Sequence, residues 1–428
     1  MDALTPVDPK ERTWRGLDFF ILWAGAGISL AEIWAGGMLR PMGLVIGFIA
    51  ILVGHLIGNT ALSLGGIIGS KHGIPTMVAL RPSFGIRGSY LASILNIIQL
   101  IGWTAVMVWI GGNAADALLK PSLGSHPKVW MVGIGLVTLL WSFVGKTFWK
   151  WLQRISITGL LILSIAMTVV VFHSYGWHNL LSPHATLGMP IPLGIDLVIA
   201  MPISWLPLVA DYSRFSRSNS SAFWGTWWGY FIISSWMFLV GLAAAIATKS
   251  DTPDAMVIQL MASSGWVLPA LLIVLFSTFT TTFLDIYSTA VSAQNLFPYL
   301  GESRGVAIGG VIGILIALIF NATQYENFLL LIGSFFCPMF GVVLVDFFYH
   351  RKRRIFVHEL DDKQGRYWYK GGIHLTAITA WCVGVALYQV SFRLGWSIGA
   401  TLPSMIVSGG IYFFLNPAPK SASDNKTL

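Results

Sequence analysis

The sequence predicts an all-α polytopic membrane protein with about twelve transmembrane helices. Three observations carry that reading. Only 10% of the 428 residues are charged and 55% are hydrophobic, with a mean hydropathy of +0.72. Soluble domains carry about 25% charged residues, so this chain cannot cover a water-facing surface. The apolar residues come in continuous runs rather than in alternation, which excludes a membrane barrel. Lysine and arginine, finally, divide unequally between two sets of loops, as the positive-inside rule demands. The same composition excludes a soluble enzyme, a disordered chain and a disulfide-stapled module.

A helical span needs about 20 apolar residues. Twelve such segments lie near 17–39, 42–69, 88–118, 129–147, 153–173, 194–212, 221–248, 266–292, 304–320, 326–349, 373–393 and 396–415. The 45 Gly and 19 Trp suit close helix packing and interface belts. Residues 1–16 mix charge and polarity, so no cleavable signal peptide is expected. The longest polar breaks are 70–87, 174–193 and 350–372. They leave no room for a soluble domain, and 1–428 reads as a single integral membrane domain, with 416–428 a tail. An even number of spans puts both termini on one side. That side holds 21 of the 26 Lys and Arg; Arg40, Lys120, Lys128, Lys249 and Arg393 fall on the other. The termini are therefore expected in the cytoplasm, in a cell (inner or plasma) membrane. The run Arg351 to Arg354 reads as a topology anchor against lipid, not as a nucleic-acid patch. Cys337 and Cys382 lie in apolar runs, which argues against a disulfide framework or a zinc site.

Interrupted membrane helices are informative because lipid cannot satisfy free backbone groups. The first segment contains Gly25-Ala26-Gly27, with Ser29 and Glu32 following, and the sixth reads Met201-Pro202-Ile203-Ser204-Trp205-Leu206-Pro207. Proline removes a donor and frees a carbonyl one turn earlier. Segments one and six correspond if the chain is two five-helix repeats followed by two extra helices. In that scheme 17–212 is the first repeat through the broken sixth helix, 194–349 the second repeat and 373–415 the extra pair. Paired interruptions at corresponding places point to a transporter's central site.

Segment eight is the most polar. Ser277, Thr280 and Thr281 share one helical face, and hydroxyls with freed carbonyls are hard ligands that suit Na⁺. Ionisable residues inside spans are costly and tend to be functional. Asp211 is expected to pair locally with Arg214, and Asp346 to lie by Arg351 at the membrane boundary. Glu32 and Asp285 have no basic residue near them in sequence, so they are candidates for the substrate or for a coupling ion, H⁺ being the alternative to Na⁺. His55 is a weaker candidate. Segment three places Asn96, Gln99 and Trp103 together; an amide and an indole at i and i+4 suit a flat heteroaromatic ligand. No nucleophile or metal cluster accompanies these residues. His173, His178 and His184 lack zinc-motif spacing, so no enzyme is expected. An ion channel is the alternative from another class, but no repeated filter-like loop is visible.

Several local motifs are more specific: Trp34-Ala35-Gly36-Gly37, Arg81-Pro82-Ser83-Phe84-Gly85-Ile86-Arg87-Gly88-Ser89, Gly102-Trp103, Ala210-Asp211-Tyr212-Ser213-Arg214-Phe215 and Thr280-Thr281. Through them the chain resembles the nucleobase–cation symporters, which include cytosine, allantoin, hydantoin and purine permeases, over nearly its whole length. Met201 to Pro207 and Ala31-Glu32-Ile33 look like the branch assigned to hydroxymethylpyrimidine, a thiamine precursor; cytosine permeases are the nearest other branch. The resemblance implies a five-plus-five inverted-repeat fold of the leucine-transporter type, alternating access and sodium-coupled import of a small pyrimidine. No obligate protein partner is expected. It implies a sodium site at Gly25, Ile28, Ser277, Thr280 and Thr281. The implied substrate positions are Ser29, Gln99 or Leu100, Trp103, Pro202, Ser204, Thr282 and Asp285, with Glu32 at the edge. Pro202 falls where the family places an aromatic, and Trp205 is the candidate to replace it. Cytosine permeases carry Asn where Thr282 and Asp285 stand here.

Overall fold

The computed structural model describes residues 5–416 apart from 144–145, 182–187, 263–264 and 298. For 146–154, 156, 174, 179, 276, 277, 279–281, 283, 284, 287 and 302 it describes the backbone alone. The described chain is helical. The first predicted span is a bent pair, α1 (Gly16–Gly27) and α2 (Leu30–Met38), inclined at 61°. The second and third are α3 (Gly43–His72) and α6 (Gly88–Leu123), separated by the short helices α4 (Thr76–Ala79) and α5 (Arg81–Phe84). Next come α7 (Pro127–Trp141), α8 (Lys146–Val170) and the short α9 (Gly176–Leu181). The sixth span is α10 (Ile191–Trp205), one 3₁₀ turn and α11 (Val209–Ser213). Then follow α12 (Asn219–Thr248), α13 (Pro253–Ala262), α14 (Val267–Leu296), α15 (Glu302–Ala317), α16 (Gln324–Val345), α17 (Leu375–Leu394) and α18 (Thr401–Leu415). Among the described residues, six helices and the bent pair are long and apolar enough to cross a membrane. With four shorter apolar helices and α14 they coincide with the twelve predicted segments. Leu, Ile and Phe side chains such as Ile21, Ile98, Ile319 and Phe414 point outward, as a lipid-facing surface requires.

Packing sorts the spans into groups. The bent pair and α10 pack with α3 and α12; α6 packs with α7, α14 and α15, and α8 joins α14; α16, α17 and α18 form a third set that meets α10. Two glycines explain the tightest crossing. A Cβ on Gly36 would collide with the Phe238 backbone, and one on Gly241 with the Ile33 carbonyl. The Trp34-Ala35-Gly36-Gly37 motif thus lets α2 and α12 touch backbone to backbone.

The N-terminal segment and the loops near 73, 215 and 372, all expected on one side, are in contact. Val7 N–H donates to the Gly73 carbonyl, Trp14 N–H to that of Phe215, and Arg87 N–H to that of Gly372. The motif around Arg81 is a dock for loop 351–373. Arg81 is buried; it pairs with Asp361, donates to the Leu360 carbonyl (3.3 Å) and to Asn295 Oδ1 (2.7 Å) at the end of α14. Ser83 Oγ donates to Asp346 (2.8 Å), which also accepts from Tyr412 (2.8 Å) and pairs with Arg351 (2.6 Å). Asp346 and Arg351 are thus paired as expected. Burial pushes the Tyr369 phenol up to about 12 despite the neighbouring Arg351, so it keeps its proton and donates to the Pro82 carbonyl (2.5 Å). Asp211 has Arg214 beside it as expected, with Arg214 Nε donating to the Asp211 backbone carbonyl (3.1 Å). Its carboxylate also accepts from Thr76 N–H at the start of α4 (2.8 Å), a partner the sequence did not indicate.

Candidate functional site

The α1–α2 break lies two residues beyond the glycine cluster that predicts it. α1 runs through Gly27, and its last hydrogen bond is Ile28 N–H to the Ala24 carbonyl (3.1 Å). Ser29 then turns to extended backbone and caps α2 by accepting from Glu32 N–H at 3.2 Å. Ser29-Leu30-Ala31-Glu32 is a Ser-x-x-Glu capping signature, the signal that locates the break. Only half of the box closes, because the Glu32 side chain turns away to α12. A helix end leaves its final carbonyls without intrahelical donors. Those of Gly25 and Ile28 lie past the last α1 bond, so both positions that the sequence proposes for sodium in the first span are at this break. The side chains of Ser277, Thr280 and Thr281 lie outside the described part of the structure.

The sixth span does not break where its first proline stands. Pro202 lies inside α10, and its ring packs where a Cβ on Gly58 of α3 would sit. The change comes at Leu206–Leu208, a single 3₁₀ turn containing Pro207. There Gln99 of α6 supplies the missing donor: its Nε2 bonds the Ser204 carbonyl and Asn96 Oδ1, both at 2.8 Å. Neighbouring helices commonly satisfy backbone freed by proline in this way.

Between these two places lies a cavity of about 20 Å³, large enough for one water-sized sphere. Ser29 and Glu32 of the bent pair, Trp103 of α6, Ser204 and Trp205 of α10 and Asp285 of α14 line it. Ala26, Ala31, Met107 and Met201 complete the wall. Six predicted substrate positions therefore meet, from four spans and both large packing groups. Gln99 stands behind the wall, tied to Ser204. Leu100, Pro202 and Thr282 are not in the lining: Leu100 is buried, Pro202 faces α3, and the Thr282 hydroxyl donates to the Thr278 carbonyl of its own helix (2.6 Å).

Trp103 stands edge-on to Tyr325 and Phe328, at centroid separations of 6.1 and 5.2 Å. Trp205 donates from Nε1 to the Tyr230 hydroxyl (3.1 Å). Asp285 is 3% exposed; among the described residues no hydrogen bond or ion pair to its carboxylate is found. Glu32 is 1% exposed; it accepts from Tyr230 OH (2.5 Å), and its other carboxyl oxygen lies 2.8 Å from Ser234 Oγ. Sequence reasoning missed Tyr230 and Ser234. They stand at i and i+4 on α12, a spacing that marks a shared face but not which side chain it meets.

A bundle of apolar helices with a small cavity at its centre, walled by four spans beside a broken helix, has the architecture of a membrane transporter. The chain matches the profile of the permeases for cytosine/purines, uracil, thiamine and allantoin over residues 6–411, and it belongs to that family. It is 25% identical over 347 residues to a hydantoin permease from Microbacterium maritypicum, covering 74% of this chain and 68% of that one. It is 27% identical over 356 residues to the cytosine permease of Escherichia coli (strain K12), covering 82% and 78%. Among solved structures, it matches Mhp1, a nucleobase-cation-symport-1 family transporter, in a closed conformation with bromovinylhydantoin bound. The TM-score is 0.84 at 22% identity, over 96% of this chain and 94% of that one. The inward-facing conformation of Mhp1 matches at 0.86 and 20%, over 97% and 92%. The five-plus-five fold with two extra helices is therefore that of this chain.

Proposed function

We propose that this protein imports a small pyrimidine, hydroxymethylpyrimidine or a cytosine-like base, by alternating access and coupled to sodium. The observation that carries the reading is the cavity itself. Two indoles, Trp103 and Trp205, and two carboxyl groups, Glu32 and Asp285, reach one small space next to the α1–α2 break. A flat heterocycle stacks on aromatic planes and presents donors and acceptors along its edge. An aminopyrimidine can bond a carboxyl group pairwise through an amino group and a ring nitrogen. The space is smaller than such a ring, so the groups of helices that wall it separate to admit one. Sodium would sit beside the ligand, held by the Gly25 and Ile28 carbonyls with Ser277, Thr280 and Thr281 of α14, and each would raise the other's affinity. The N-terminal face, rich in Lys and Arg, would lie in the cytoplasm.

Uptake of radiolabelled cytosine and hydroxymethylpyrimidine into proteoliposomes, with and without an inward sodium gradient, tests this reading. Uptake that the gradient accelerates supports it; a gradient without effect removes sodium. Asp285→Asn keeps the side chain's size and removes its charge. It should change the rank order of cytosine, hydroxymethylpyrimidine and uracil in competition binding, and an unchanged order would remove Asp285 from the ligand's edge.

Trp103→Ala should weaken binding by about 0.5–1.5 kcal/mol beyond the lost burial, roughly two- to thirteenfold, and Trp103→Phe should be milder. Calorimetric titration of folded variants measures it. An unaltered Kd would return Trp103 to a packing role against Tyr325 and Phe328.

A further inference from the structure

Behind the cavity wall, Glu32 is one end of a buried hydrogen-bond chain that the proposed transport reading does not use. Its Oε2 lies 2.8 Å from Ser234 Oγ. Ser234 Oγ lies 2.6 Å from His55 Nε2 on α3, and His55 Nδ1 lies 2.9 Å from the Ile51 carbonyl. Glu32 is 1% exposed, and Ser234 and His55 are fully buried. Proton counting along this chain leaves few choices. A carbonyl only accepts, so His55 Nδ1 carries a hydrogen. Ser234 has a single hydroxyl hydrogen for two neighbours. If it points to Glu32, then His55 Nε2 must donate as well and the ring is an imidazolium facing a carboxylate. If it points to His55, then Glu32 must donate and is a carboxylic acid facing a neutral imidazole. In both arrangements the chain holds one proton more than a carboxylate with a neutral imidazole. Without that proton, lone pairs would oppose each other across one of the two short contacts, at a buried site where an unmade hydrogen bond is costly.

Among the described residues, the surroundings offer no fixed cation in its place. Facing Glu32 are Tyr230 on α12, whose hydroxyl donates to Oε1, and Asp285 across the cavity on α14. Tyr325 on α16 donates to the Ala31 carbonyl beside it (2.9 Å). From α10 comes the Trp205 indole, bonded to Tyr230. His55 faces the rings of Phe238 and Tyr230 at 5.0 and 6.4 Å. Among the described residues no Lys or Arg forms an ion pair with any of these groups.

We infer that Glu32, Ser234 and His55 form a proton site of the transport cycle, holding one exchangeable proton shared between the cavity carboxyl group and a histidine outside the cavity. Glu32 gives its proton to Ser234 Oγ as Ser234 gives its own to His55 Nε2; the O–H bond of Glu32 breaks, an N–H bond forms on His55, and no other species is needed. Glu32 lines the cavity and His55 does not, so a ligand edge that donates to Glu32 favours the proton on His55. An empty or accepting edge returns it to Glu32. The link to transport rests on the proposed function; the proton site itself does not.

Two measurements separate them. Infrared difference spectra of the purified wild-type protein, titrated with pH and without ligand, should show a buried carboxylic C=O band. Glu32→Gln should abolish the band, and His55→Gln should shift its titration midpoint. In proteoliposomes at a fixed sodium gradient, cytosine uptake should vary several-fold with pH, because the shared proton must be bound and released during the cycle. His55→Gln and Ser234→Ala, both outside the cavity lining, should flatten that profile while still taking up cytosine. Absence of a Glu32-dependent carboxylic band at every pH overturns the proton site. Wild-type pH profiles in both folded variants overturn its part in transport. A wild type that takes up none of the pyrimidines defeats the substrate reading instead, and the infrared titration then decides the proton site alone.

Discussion

Asp346→Ala is expected to destabilise the protein by about 3–5 kcal/mol, the usual cost of leaving one half of a buried ion pair uncompensated. The Asp346 side chain is 1% exposed and that of Arg351 13%, so water replaces little of what is lost. The carboxylate is also the common acceptor for Ser83 of the Arg81 motif and Tyr412 of α18. Its removal therefore loosens the N-terminal face at three places at once. Thermal unfolding in detergent measures the effect. Asp346→Ala combined with Arg351→Ala should recover part of the loss, because the stranded guanidinium goes with its partner. A melting temperature unchanged by Asp346→Ala would mean that loop 351–373 is held by its other contacts alone.

The second large effect is expected at the α2–α12 crossing. In Gly241→Ala the new Cβ collides with the Ile33 carbonyl, a backbone atom that no rotamer change can move. Overpacking typically costs about 1–3 kcal/mol, occasionally more. Here the helices themselves must part, so the upper end is expected. Parting them also pulls Tyr230 and Ser234 away from Glu32, one residue from Ile33. Gly241→Ala should thus lower both the yield of folded protein, read by size-exclusion chromatography, and ligand affinity in what remains. Wild-type yield and affinity would show that the crossing tolerates a methyl group.

The span pattern was legible because lipid leaves the chain no alternative: an apolar run of sufficient length must close its own backbone hydrogen bonds as a helix. The partition of Lys and Arg was equally plain, and the loops it grouped are in contact through Val7, Arg87 and their carbonyl partners. The positions of the breaks were less legible. Glycine and proline mark where a helix can yield, whereas the capping hydroxyl of Ser29 and the 3₁₀ turn at Pro207 decide where it does. Pro202 remained helical because the glycine opposite it on α3 makes room for its ring.

Sequence by itself determined the class of protein and the residue types that meet at its centre: Glu32 and Asp285 stood out as carboxylates in apolar runs, Trp103 as an indole one turn from an amide. Only the tertiary structure decided which of them share a space. It placed Trp205 in the cavity wall, turned Gln99 to the Ser204 carbonyl, and closed the Thr282 hydroxyl onto its own helix. It also joined Glu32 to Tyr230, Ser234 and His55, residues 198, 202 and 23 positions away. The physical reason is that helical periodicity fixes the face a side chain occupies, whereas its partner depends on the angle and depth at which another helix packs. That geometry is set in part by glycines at helix crossings, such as Gly36 and Gly241, where no side chain holds the backbones apart.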